Sequence, residues 1–230
     1  MAKVNVKEQN VETINKSEAF FLKHKKTILY AIIALVVIIA GIILYNNFVK
    51  APREAKASTE LAKGQELFGN QQFDKALNGD GAGYAGFAKI ASDYSSTDAG
   101  NLANLYAGLC YGNLGKWSEA VQFLDKYSPA DDEMVSPAAI AALGNAYAHI
   151  KEYDKAIQNL KKAAKMADDE AAENTNTSLA PTFLLQAAQL LESQNNMAEA
   201  LKIYQDIKKK YLNSPISQEI DKYIERASAQ

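Results

Sequence analysis

Apolar and polar positions divide the chain into two regimes. Residues 27–49 run without a single charged side chain, whereas from residue 57 onward apolar positions recur every three or four residues between polar ones. The first pattern predicts a transmembrane helix. As a helix the 23 residues of this run reach roughly 34 Å at about 1.5 Å per residue, against a hydrocarbon core of about 30 Å. Residues 28–44 include twelve Ile, Leu or Val, each of which favours insertion by about 0.3–0.6 kcal/mol. Tyr30 and Tyr45 suit the two water interfaces. A buried core helix of this length would show a polar face, and none is present. No A-x-A-like site follows the run and 26 residues precede it, so an uncleaved anchor is expected rather than a signal peptide.

The second regime repeats itself. With Gly108 set on Gly144, Tyr111 falls on Tyr147, Leu114 on Ile150, Trp117 on Tyr153, Ala120 on Ala156, Leu124 on Leu160 and Tyr127 on Ala163, an offset of 36 residues. Such offsets keep one apolar stripe on each of two successive helices, with a small residue at each crossing and an aromatic wedge between them. Two weaker units share the register: Gly64, Leu67, Phe73 and Ala76 upstream, and Ala188, Leu191, Met197, Ala200, Tyr204 and Ile207 downstream. The equivalent alanines, Ala76, Ala120, Ala156 and Ala200, are 44, 36 and 44 residues apart, so the loops carry insertions. One insertion, N-G-D-G-A-G at residues 78–83, breaks or extends the second helix of the first unit; it lacks the acidic run and terminal Glu of a calcium loop. Another, residues 168–178, reads as a solvated acidic loop, and Asp131, Asp132 and Glu133 read as surface charge. Pro137 and Pro181 mark matching helix starts, and residues 215–229 form an amphipathic capping helix with Ile216, Ile220, Tyr223 and Ile224 on one face.

This spacing resembles the tetratricopeptide repeat, a helix-turn-helix of about 34 residues. Gly108, Tyr111, Gly115, Trp117, Ala120 and Pro129 carry the likeness in one unit, and Leu143, Gly144, Tyr147, Tyr153 and Ala156 in the next. The resemblance implies an all-α solenoid of about four helix pairs behind a single transmembrane helix. Gly108, Tyr111, Trp117, Ala120, Gly144, Tyr147, Tyr153, Ala156 and Ala200 are its expected packing residues. It also implies that the first helices of the units line a concave partner groove, here Leu105, Leu109, Asn113, Asn145, His149, Gln189 and Glu192. The cations with which some relatives capture carboxylates are missing from these positions, so a neutral, amide-rich groove for extended backbone or a folded partner is expected.

Charge adds an asymmetry. Residues 1–26 hold six Lys and three Glu, or +3, and the remainder 19 Lys and Arg against 24 Asp and Glu, or −5. An acidic main domain argues against a nucleic-acid partner, which needs clustered cations. Lys16, Lys23, Lys25 and Lys26 before the anchor are balanced by Lys50, Arg53, Lys56 and Lys63 after it, but the cluster Lys23, His24, Lys25, Lys26 abuts the apolar run and favours a cytoplasmic N-terminus. The expected order is a basic tail (1–26), the transmembrane helix (27–49), a linker (50–56) and the repeat domain (57–230).

Catalytic chemistry finds no foothold. One Cys, Cys110, and two His, His24 and His149, leave almost no metal inventory, and no nucleophile, phosphate-binding or zinc motif is present. No enzyme activity, cofactor or metal is expected. A basic tail, one anchor and an acidic repeat domain together resemble the ancillary SecYEG translocon subunit family of the bacterial inner membrane. That resemblance implies a periplasmic repeat domain that assists secretory or envelope protein traffic, with the translocon, periplasmic chaperones or client polypeptides as partners. The alternative is a structural subunit of another envelope assembly or secretion complex.

Overall fold

The structure, a computed structural model, describes the backbone of residues 2–229 and the side chains of residues 20 and 22–229. The side chains of Lys3, Lys7 and Lys16 of the basic tail lie outside the described residues. Among the described residues all regular structure is helical. The chain divides into two units, residues 1–53 and 54–230.

The first unit holds α1 (Ala2–Tyr45) and a π-helical turn (Asn46–Lys50). Every side chain from Leu29 to Lys50 is exposed. This is the one stretch among the described residues long and apolar enough to cross a membrane, and none of it is buried in protein. The segment 50–56, expected as a linker, is helical: it falls at the end of the π turn and in α2 (Ala51–Gly69).

The second unit is a run of helical hairpins. α2 pairs with α3 (Phe73–Asn78) and α4 (Phe87–Asp93), α5 (Asp98–Asn113) with α6 (Trp117–Leu124), α7 (Val135–His149) with α8 (Tyr153–Glu170), and α9 (Leu179–Ser193) with α10 (Met197–Lys210). A 3-10 turn (Pro215–Gln218) and α11 (Ile220–Ser228) close the chain. Each hairpin turns in the same way. Gln71, Gly115, Lys151 and Asn195 all adopt left-handed backbone with φ between 58° and 73°. The following N–H, of Gln72, Lys116, Glu152 and Asn196, donates to the carbonyl five residues back, of Leu67, Tyr111, Tyr147 and Leu191, each at 2.9 Å. This helix-ending motif satisfies carbonyls that a helix terminus otherwise leaves open. Its recurrence in all four units, at the spacing of the alanines, places the two weak outer units in the same register as the two strong inner ones.

Small residues set how closely the paired helices approach. A Cβ on Gly108 would stand 2.5 Å from Leu124 Cγ, and one on Gly144 would stand 3.0 Å from Leu160 Cγ and 3.1 Å from the Ala156 carbonyl. Ala120, Ala156 and Ala200 are fully buried. Tyr111 packs tilted on Phe123 at 5.3 Å, Tyr147 carries the Lys155 ammonium 5.2 Å over its ring, and Tyr153 is half-buried. The core forms successive layers: one from α2 to α5, one joining α5, α6 and α7, and one from α7 to α11.

The 78–83 insertion breaks the second helix of the first unit. Asp80 Oδ1 accepts the N–H groups of Ala82 (2.8 Å) and Tyr84 (3.0 Å), which folds the loop back so that the Tyr84 hydroxyl donates to the Ala76 carbonyl at 2.8 Å. The Ala82 and Tyr84 amides hold the Asp80 carboxyl below the usual carboxylate range.

Two expectations about charge are corrected. Asp132 does not merely decorate the surface: its carboxylate accepts the N–H groups of Met134 (3.0 Å), Val135 (2.5 Å) and Ser136 (3.1 Å) at the start of α7, and the Ser136 hydroxyl at 2.5 Å. Burial raises its pKa, but the Ser136 hydroxyl and these amides outweigh burial and leave it lowered. Because the folded-state value is depressed, the stabilisation is complete above the unfolded value of about 4 and is lost as pH falls through the folded value. Asp132→Ala is expected to cost about 1–2 kcal/mol at neutral pH, with the difference from the parent shrinking in acid; urea titrations at pH 7 and pH 3 measure both. Asp168 is likewise no solvated loop residue but lies buried at the end of α8, because its carboxylate ties the third unit to the fourth.

Candidate partner groove

The first helices of the second and third units, α5 and α7, frame a cleft of about 230 Å³. Gly108, Leu109, Gly112 and Asn113 line it from α5, Ala142, Asn145 and Ala146 from α7, and Trp117, Ala120 and Leu124 from α6. Its origin is a deficit of side chain: glycine and alanine occupy the facing turns, so the helices meet without filling the space between them. Both glycines of α5 are pressed close: a Cβ on Gly108 would stand 2.5 Å from Leu124 Cγ, and one on Gly112 would stand 3.0 Å from the Trp117 ring. The floor is apolar and the rim carries amides.

Of the seven residues expected in the groove, Leu109, Asn113 and Asn145 come together in this cleft. Asn113 donates from Nδ2 to the Leu109 carbonyl at 2.8 Å, which fixes its amide on the exposed side of α5. His149 sits beside the cleft, its imidazole stacked flat on the Trp117 indole at 3.6 Å between centroids. It thereby braces the aromatic wall with one face of its ring, while the residue itself is exposed. Gln189 is exposed on α9.

The other two are corrected. Leu105 is only 6% exposed and packs with Ala120, Leu124, Tyr127 and Leu143 in the core, so it offers almost no surface to a partner. Glu192 is held by the Arg226 guanidinium of α11, whose Nε donates to Oε1 at 3.1 Å and whose Nη2 donates to Oε2. That pair fastens the capping helix to the last repeat. Sequence reasoning counted Trp117 only as a packing residue and passed over Gly112, Ala142 and Ala146; the signal that could have found them is small residues facing one another on successive first helices.

Catalytic groups are scarce here. Cys110 is fully buried, and burial pushes its thiol up to about 12, so it is a protonated apolar filler at neutral pH. No group of three or more His, Cys, Asp or Glu side chains converges as a metal site among the described residues.

The family model of the tetratricopeptide repeat matches residues 102–128 and 183–214, which fall in the second and fourth units. Among solved structures the chain is similar to the TPR-like repeats of a Podosopora anserina kinesin light chain, with 13% identity, a TM-score of 0.57, and coverage of 76% of this chain and 86% of that one. A form of the same repeats with one residue substituted aligns equally well, at 13% identity and TM-score 0.57 over 76% of this chain and 85% of that one. MamA aligns at 17% identity with a TM-score of 0.49, over 72% of this chain and 92% of that one. No curated protein matches the sequence. The chain therefore carries tetratricopeptide repeats, and repeats of this kind are protein–protein interaction scaffolds rather than typical catalysts.

Proposed function

We propose that this protein is a membrane-tethered scaffold that holds a partner polypeptide in the cleft between α5 and α7 and assists secretory or envelope protein traffic at the translocon. The observation that carries the binding reading is the cleft itself. An apolar slot of about 230 Å³ has room for one apolar side chain, and the amides of Asn113 and Asn145 stand where an extended backbone would pass. The tether is the uncharged run 27–49, and the cluster Lys23 to Lys26 keeps the N-terminus in the cytoplasm of a bacterium, with the repeat unit in the periplasm. The translocon part of the reading rests on the resemblance of this architecture to the ancillary SecYEG subunit family. The partners are then the translocon, periplasmic chaperones or client chains, with no nucleic acid and no cofactor.

The test is a variant that blunts the amide rim of the cleft, together with the exposed amide of Gln189 on α9, without touching the core. Replacing Asn113, Asn145 and Gln189 together with Ala leaves the buried layers intact. At about 0.5–1.5 kcal/mol for each hydrogen bond lost, engagement of all three predicts partner capture weakened tenfold or more. Single changes give graded losses. Unchanged capture by a folded triple variant rejects the cleft as the binding surface.

A further inference from the structure

The second unit has two edges of different chemistry. One carries the four hairpin turns at Gln71, Gly115, Lys151 and Asn195. The other gathers the starts of the first helices and the ends of the second helices, and hydrogen bonds stitch it together. Glu54 accepts the N–H groups of Asp98 (2.7 Å) and Ala99 (2.9 Å) at the start of α5. Asn101 exchanges bonds with the Ser128 backbone, and Ser136 binds the Ala130 N–H and the Tyr127 hydroxyl at the start of α7. Asp168 takes the Asn176 N–H, Lys210 and Tyr211 at the ends of α8 and α10.

Exposed apolar bulk is concentrated on this stitched edge. Beyond Val49, the large apolar side chains exposed among the described residues are Leu114 at 36%, Met134 at 68%, Val135 at 46% and Leu212 at 71%. Met134 and Val135 enter α7 and Leu212 follows α10, all on the stitched edge. Leu114, the least exposed, stands alone on the turn edge. Burial elsewhere is good enough that these side chains are not explained by poor packing, since the residues beside them, Tyr127, Ser136, Tyr211 and Ser214, are all buried.

The same edge is where the chain arrives from the apolar run. Residues 50–53 separate Val49 from the Glu54 cap, and even fully extended the connection spans at most about 18 Å. Glu54, on that edge, is thus within this reach of Val49 wherever residues 27–49 are embedded. Apolar contacts at α7 and beyond α10 would add further points of attachment on the same edge.

We propose that the edge bearing Met134, Val135 and Leu212 rests on the lipid bilayer, with these side chains in the headgroup and acyl boundary. The proposal rests on the anchoring of residues 27–49. Charges beside the apolar points are mixed: Asp131 and Glu133 flank Met134, Asp132 is engaged by α7, and Lys208, Lys209 and Lys210 precede Leu212, with Lys208 on Asp221 and Lys210 on Asp168. The contact is therefore an insertion of apolar groups that neutral lipid suffices to support, without a requirement for anionic headgroups.

The full chain, reconstituted in phosphatidylcholine nanodiscs, carries one nitroxide at a time through Met134→Cys, Leu212→Cys, Leu114→Cys or Ile39→Cys; buried Cys110 stays unlabelled. Collision with an aqueous nickel chelate and with lipid-soluble oxygen reports depth. The expected result is nickel accessibility severalfold lower at 134 and 212 than at 114, with oxygen accessibility retained, and full nickel protection at 39. Nickel accessibility at 134 and 212 equal to that at 114, with 39 protected, overturns the edge contact and leaves the anchor standing. Exposure of 39 to nickel overturns the anchor, and the edge contact with it. Protection of 134 and 212 from both reagents means that protein covers them, which overturns the lipid assignment.

Discussion

Phe87→Ala is expected to cost about 3–5 kcal/mol, the range for removing a fully buried aromatic ring. Its ring is inaccessible to solvent, stacks on Tyr106 of α5 at 5.0 Å and meets Tyr84 edge-on at 6.2 Å. It also fills the notch left by Gly64, where a Cβ would stand 2.5 Å from the ring. One side chain thus joins α2, α4 and α5, and it backs the Tyr84 ring that the loop 79–86 folds inward. Because stacked repeats couple mainly to their neighbours, the loss should be local. Hydrogen exchange on the full chain should show α2 to α5 deprotected, with α8 to α10 close to the parent. Uniform deprotection along the chain would show that the repeats fold as one indivisible body, contrary to the layered core.

The second large effect is expected at Asp168. Its carboxylate accepts the Tyr211 hydroxyl at 2.6 Å, the Lys210 ammonium at 2.5 Å and the Asn176 N–H at 2.8 Å. Burial, then the bond to Asp168, raises the Tyr211 hydroxyl above its ordinary range, so it stays a donor at all ordinary pH. Asp168→Ala strands that buried hydroxyl and the Asn176 amide, at about 1–3 kcal/mol for each group left unsatisfied. Lys210 is half exposed and regains water, so its share is small. A total near ~3 kcal/mol is expected by chemical denaturation. Tyr211→Phe removes only one bond and should cost about 1 kcal/mol. Equal costs for the two variants would mean that Asp168 serves Tyr211 alone.

Much of this fold is legible in the sequence because its period is carried by residues that must be small or aromatic at fixed places. Gly108, Gly144, Ala120 and Ala156 mark helix crossings, and the register they set passes through Ala76 and Ala200 to the outer units. What escaped was polar. Asp132 and Asp168 sit in acidic stretches whose composition reads as solvent-facing, and only tertiary structure brings a helix terminus to one and a tyrosine hydroxyl to the other. The groove was half legible for a related reason. Helical position separates Asn113 and Asn145 from the core face, but it does not reveal that the second helix of a unit lays Trp117 over His149, that α11 reaches back to Glu192, or that Leu105 is covered by α6 and α7. Those contacts depend on hairpin stacking, and no periodicity within one helix records them.

The cleft between α5 and α7 is tested most directly by site-specific photo-crosslinking in intact cells. A photoreactive residue is placed in the full chain at Asn113 or Asn145 on the cleft, and at Gln158 or Lys162, which are exposed on α8. Mass spectrometry of the adducts should find the same translocon components, chaperones or exported chains from both cleft positions, and little from α8. Adducts that arise equally from α8, or from α8 alone, would contradict a partner groove on the first helices.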